Sequence, residues 1–165
     1  MTNWTRIVAL VAAVAAVAAL VFVVVGPDDE ARPGGDGVVS VAIEGTEFIP
    51  SRLVLPAGEP ITLEFDNRND FIHHLAIGRT LEQTEEGAEF AEDLLAGVDA
   101  QADPSRAWLP PTEEFDNVTL VLPESSTVTY ALTLPEDRVG RWEVGCFVGR
   151  GCDAHLLEGA EVVVE

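Results

Sequence analysis

Three histidines and two cysteines are present in the chain, and they fall in two short stretches. His73 and His74 form one. Cys146, Cys152 and His155 form the other. Thiolate sulfur and imidazole nitrogen are soft to borderline donors that suit copper, and two imidazoles with one thiolate make a trigonal copper set. The chemistry on offer is therefore one-electron transfer or copper handling. Nothing resembles a Ser–His–Asp arrangement, a nucleotide-binding glycine loop or an internal repeat, so an independent enzyme is not expected and no small-molecule substrate is implied.

Such donors must be held rigidly, and the flanking sequence reads as strands. Residues 38–43 (VVSVAI) are rich in β-branched side chains, and 61–65 (ITLEF) alternate apolar and polar. Asn67-Arg68-Asn69-Asp70 reads as a turn leading into a strand over 71–77 that carries His73 and His74. Further strands are expected at 52–55, 118–122, 127–134, 141–146 and 160–165. Cys146 ends one of them, whereas Cys152 and His155 lie in the loop beyond. Between 85 and 95, Phe90, Leu94 and Leu95 stand at i, i+4 and i+5, a spacing that fits a short amphipathic helix in an insertion. Seven or eight short strands with one such excursion predict an all-β Greek-key sandwich over residues 38–165.

The rest of the chain sets the compartment. Ile7 to Val25 is an apolar run without a charge or helix breaker. As a helix it would be roughly 28 Å long at about 1.5 Å per residue, which spans a bilayer's hydrocarbon. Arg6 precedes it and Asp28, Asp29 and Glu30 follow, which places residues 1–6 in the cytoplasm and the rest outside. A single-pass transmembrane anchor at 7–25 and a cleaved signal peptide are the two readings; either puts the domain on the extracytoplasmic side of the cell membrane. Residues 26–37, rich in Gly and Pro, read as a flexible linker. Net charge is −20, with 29 acidic residues against nine basic ones, all arginine. Such a surface excludes nucleic acid as a partner; it reads either as adaptation to salt or composition bias or as favouring cationic partners, including a basic redox partner or copper donor.

The ordered motifs resemble a family. Gly45-Thr46-Glu47-Phe48-Ile49-Pro50, Leu53-Val54-Leu55-Pro56-Ala57-Gly58-Glu59, Phe65-Asp66-Asn67 and His73-His74-Leu75-Ala76-Ile77 look like the first half of a bacterial cupredoxin, and Gly140-Arg141-Trp142-Glu143-Val144-Gly145-Cys146 with His155 and Gly159 like the second. The likeness is to plastocyanin-like and azurin-like blue copper domains carried on bacterial membrane anchors. It implies one copper ion held by His73, Cys146 and His155, with Leu75 and Ile77 pointing inward and His74 on the opposite face. Two departures stand out. The family's axial Met position is Ala160, and the chain's single Met is Met1; Glu158, Cys152 and His74 are candidate replacements. Cys152 also has plastocyanin's short spacing to His155 and rivals Cys146 as the thiolate. Outside the cytoplasm the two cysteines could instead form a disulfide, leaving a metal-free binding or structural module.

Overall fold

Alternating and β-branched runs make strands because each residue presents its side chain to one of two faces. The computed structural model describes residues 30–84, 87–112, 116–147 and 155–165, except the side chains of His155 and Glu158. Among them thirteen strands occur: β1 (Glu30–Ala31), β2 (Val38–Glu44), β3 (Glu47–Ile49), β4 (Arg52–Leu55), β5 (Pro60–Asn67), β6 (His73–Gln83), β7 (Ala88–Asp93), β8 (Ala100–Asp103), β9 (Trp108–Leu109), β10 (Thr119–Leu122), β11 (Ser126–Thr133), β12 (Gly140–Cys146) and β13 (His155–Val164). The only helices among the described residues are 3-10 turns at Ser105–Ala107 and Glu136–Arg138.

The strands form two sheets. One runs β1-β4-β13-β12-β6-β10-β9, with β7 also on β6; the other runs β3-β2-β5-β11-β8. Their inner faces share one core, in which Val39, Leu63, Phe65 and Tyr130 from the second sheet meet Leu75, Leu120, Trp142, Val144 and Val162 from the first. The all-β sandwich expected from the sequence is thus present, built from more strands, several of them longer than expected. The 30–37 segment, read as linker, carries β1, which pairs in parallel with Arg52 and Leu53. The expected helix at 7–25 lies outside the described residues, among which no helix is long and apolar enough to cross a membrane.

The helix expected over 85–95 is corrected by the structure. Residues 88–93 are strand β7, which folds back on an eleven-residue β6. Leu94 and Leu95 follow the strand and enter the main core, while Ala88 and Phe90 face a separate small cluster with Ala76 and Phe147. Spacing of i, i+4 and i+5 suits a helix face, but here the apolar residues serve two different surfaces. Side chains secure this hairpin. Asn117 accepts from Phe90 N–H at 2.7 Å and donates to its carbonyl at 2.9 Å, standing in for a neighbouring strand. Asp93 accepts from the N–H groups of Leu95 and Val118 at 2.8 and 2.7 Å. Buried in these bonds, Asn117 is closed to the glycan that Asn117-Val118-Thr119 would otherwise invite.

Candidate metal centre

Strand β6 begins at His73, and its alternation fixes where each side chain goes. Leu75 and Ile77 lie in the main core, and Ala76 lies in the small cluster on the other face. His73 shares the inward phase and is 1% exposed. His74 has the opposite phase, as the family resemblance implied; it is half-buried, and that burial pushes its imidazole pKa down.

Strand β12 is the neighbour of both β6 and β13. Cys146 is aligned with Leu75 on one side and His155 on the other. Phe147 N–H then donates to the His74 carbonyl at 2.9 Å, so the backbone is held on both sides of the cysteine. Between Glu143 and Gly145 the register with β13 shifts: Glu143 faces Glu161 but Gly145 faces Leu156. The extra length on β13 spans 157–160, with Gly159 at φ +77° turning the chain. This bulge returns β13 to register so that His155 lies beside Cys146. Ala160, the position that the resemblance implies for the axial Met, is buried in the main core.

The decisive contact is between side chains. Cys146 Sγ stands 3.6 Å from His73 Nδ1, and both residues are buried. Two donors sharing one ion at bond lengths of about 2.3 Å for thiolate and about 2.0–2.1 Å for imidazole would stand that far apart at an angle of about 110° at the metal, within the range for a trigonal or tetrahedral ion. The pair fits a soft first-row metal by geometry and by donor type. His73 Nε2, the far nitrogen, is held by Asn69 at 2.8 Å. The exposed ring of Phe71 lies against His73 at 4.8 Å between centroids, and exposed Ile72 adjoins it, giving the site an apolar rim.

Of the residues expected at the site, the structure thus brings together His73 and Cys146 by side chain, and His155 by backbone register. Cys152 lies outside the described residues. No cluster of three metal-ligating side chains is formed among the described residues. Trp142 is a core aromatic; its Nε1 donates to the Arg138 carbonyl, and the Arg79 guanidinium sits 3.7 Å from its ring centroid. Trp108 packs against the same core beside Tyr130.

Asn67 and Asn69 fall in the stretch that reads as a turn, Asn67 also closing a family-like motif, and both are buried. Asn67 Nδ2 donates to the carbonyls of Phe71, Leu122 and Pro123, and its Oδ1 accepts from Asn69 N–H. Two asparagines closely preceding a candidate ligand histidine are the signal that could have marked them, since a buried amide must find partners.

No family model matches the sequence, and no curated protein is significantly similar to it. Among solved structures the chain is similar to auracyanin B, at 18% identity over 78% of this chain and 88% of that one, with a TM-score of 0.46. It is also similar to auracyanin A, a "blue" copper protein from the photosynthetic bacterium Chloroflexus aurantiacus, at 18% identity over 78% and 98%, with a TM-score of 0.44. A copper(I) form of an amicyanin variant aligns at 18% identity over 79% and 84%, with a TM-score of 0.38. These neighbours are cupredoxins, the family whose motifs the sequence resembles.

Proposed function

We propose that this chain is a membrane-tethered, extracytoplasmic copper protein of the cupredoxin kind, an electron carrier and not an enzyme. One observation carries the reading: a buried cysteine and a buried histidine, far apart in sequence, meet at 3.6 Å with His155 in register beside them. When bound, copper supplies a one-electron couple. The protein's part is to hold the donors still. Cys146 is pinned by pairing on both sides, His73 is held through Nε2, and burial keeps bulk water from both. The acidic surface would attract a basic partner, whether a redox protein or a copper donor.

Copper titration of the full chain, with thiols counted before and after, tests this. The expected result is one copper per chain and intense visible absorption from a thiolate–copper bond. A native peptide linking Cys146 to Cys152 in unreduced protein, with no absorption, would replace it with a metal-free module. Ala160 in place of a thioether favours a second reading, copper delivery. Tight copper(I) binding without reversible electrochemistry would establish that instead.

A further inference from the structure

We infer that Asn69 is a positioning residue whose amide determines which nitrogen of His73 carries the proton. The orientation of that amide follows from its other partners. Gly45 N–H donates to Asn69 Oδ1 at 2.7 Å, so this atom is the oxygen. Nδ2 lies 3.2 Å from the Gly45 carbonyl and 3.4 Å from that of Ile43, which are acceptors only. Exchanging the amide's O and N would set two donors against each other at Gly45 and two acceptors at each carbonyl.

The consequence falls on the histidine. Nδ2 has two hydrogens; one is shared between the two carbonyls, and the other points to His73 Nε2 at 2.8 Å. Nε2 therefore accepts, and a neutral His73 carries its proton on Nδ1, the nitrogen facing Cys146 Sγ. Asn69 is itself anchored, its N–H on Asn67 Oδ1 and its carbonyl accepting from Ser125 N–H at 2.8 Å. The tautomer is thus set by the loop between β5 and β6 and by the end of β2.

This assignment does not depend on copper; only its corollary rests on the proposed function. A metal bond to Nδ1 needs the opposite tautomer, in which one proton has left Nδ1 and one has been taken up at Nε2. The new Nε2–H needs an acceptor, which Asn69 can offer only by turning its amide and giving up Gly45 N–H. Occupation of the site is thereby coupled to the β2–β3 turn.

Long-range 1H–15N correlation of the imidazole in the full, metal-free chain tests the assignment. Wild type should show a pyrrole-type Nδ1 and a pyridine-type Nε2, and the reverse pattern would overturn the inference. Asn69→Ala removes the donor to Nε2, so the preference for one tautomer should be lost and the two nitrogen shifts should move toward each other; unchanged shifts in a folded variant would also overturn it. Adding copper(I), which is diamagnetic, should move the Gly45 amide resonance as its acceptor is withdrawn. Bound copper with Gly45 unmoved would refute the corollary. Failure of copper to bind would count against the proposed function and leave the metal-free tautomer standing.

Discussion

The ring of Phe90 meets that of Phe147 edge-on, 5.3 Å between centroids and tilted by 70°. Phe147 directly follows Cys146, so the β6–β7 hairpin grips the chain just past the candidate thiolate. Two glycines make room for the grip. A Cβ on Gly78 would lie 2.3 Å from Phe90 Cβ, and one on Gly145 would lie 2.4 Å from Phe147 Cζ. The insertion, expected as a short amphipathic helix, buttresses the outer face of the sheet behind the site.

Phe90→Ala should therefore destabilise the protein by about 3 kcal/mol through loss of apolar contact and the cavity left behind. It should also quicken labelling of Cys146, which is 2% exposed in the intact structure. Urea unfolding and the rate of thiol alkylation measure the two effects separately. Unchanged alkylation would mean that the hairpin does not hold the cysteine.

The two adjacent histidines should separate cleanly. His73→Ala should weaken copper binding by more than the roughly 10–100-fold typical of losing a metal ligand's hydrogen-bonding partner. His74→Ala, on the opposite face, should leave it nearly unchanged. Competition with a chelator of known affinity decides between them, and equal losses would contradict the strand phase argued for β6.

Asp93 gives the protein a pH dependence with a definite sign. Burial raises its carboxyl pKa, opposed by N–H donors from Val118, Leu95 and Ala96 and by Arg138. A folded-state pKa above the unfolded value means that this group's contribution is fully present below the ordinary carboxylate range and is lost as pH rises through the raised value. Asp93→Asn replaces one acceptor oxygen with a donor and should be less stable throughout. Its stability deficit relative to wild type should shrink as pH rises from below the ordinary carboxylate range to above it. Urea midpoints across that range provide the check; a deficit that grows with pH would reverse the sign.

A net charge of −20 on so small a chain should repel itself. Sodium chloride screens such repulsion, so the melting temperature should rise by a few degrees between low and moderate salt. Some arginine–carboxylate pairs, such as Arg68 with Glu44 and Asp66, oppose the trend because salt weakens them too. They are exposed, and each is worth little. A thermal melt in a salt series measures the balance, and a falling melting temperature would assign the larger share to the pairs.

Much of this was legible before any coordinates. The family resemblance implied that Leu75 and Ile77 point inward and that His74 lies opposite, and the alternation of strand β6 agrees. The β-rich run ending at Cys146 was likewise expected as a strand, which is where the structure has it. Tertiary partners decided the rest. Phe90 could have faced a helix's neighbour or another strand, and only Phe147, 57 residues on, settles which. Asn69 and Asn117 are small polar residues whose types suit turns, and their roles come from backbone groups that the fold brings to them. Cys146 and Cys152 could not be ranked by their spacing to His155; what separates them in sequence is that Cys146 ends an expected strand and Cys152 lies in the loop beyond.

The meeting of His73 with Cys146 closes a loop of 73 residues. Strand β6 must find β12 before the two side chains are near one another. In an unfolded chain they are independent groups with no chelate advantage, and the entropy of bringing them together is met by the two sheets, not by an ion. On the proposed function, an ion held between these strands would add little to the rate of folding, which non-local pairing sets, and would act instead as a brake on unfolding.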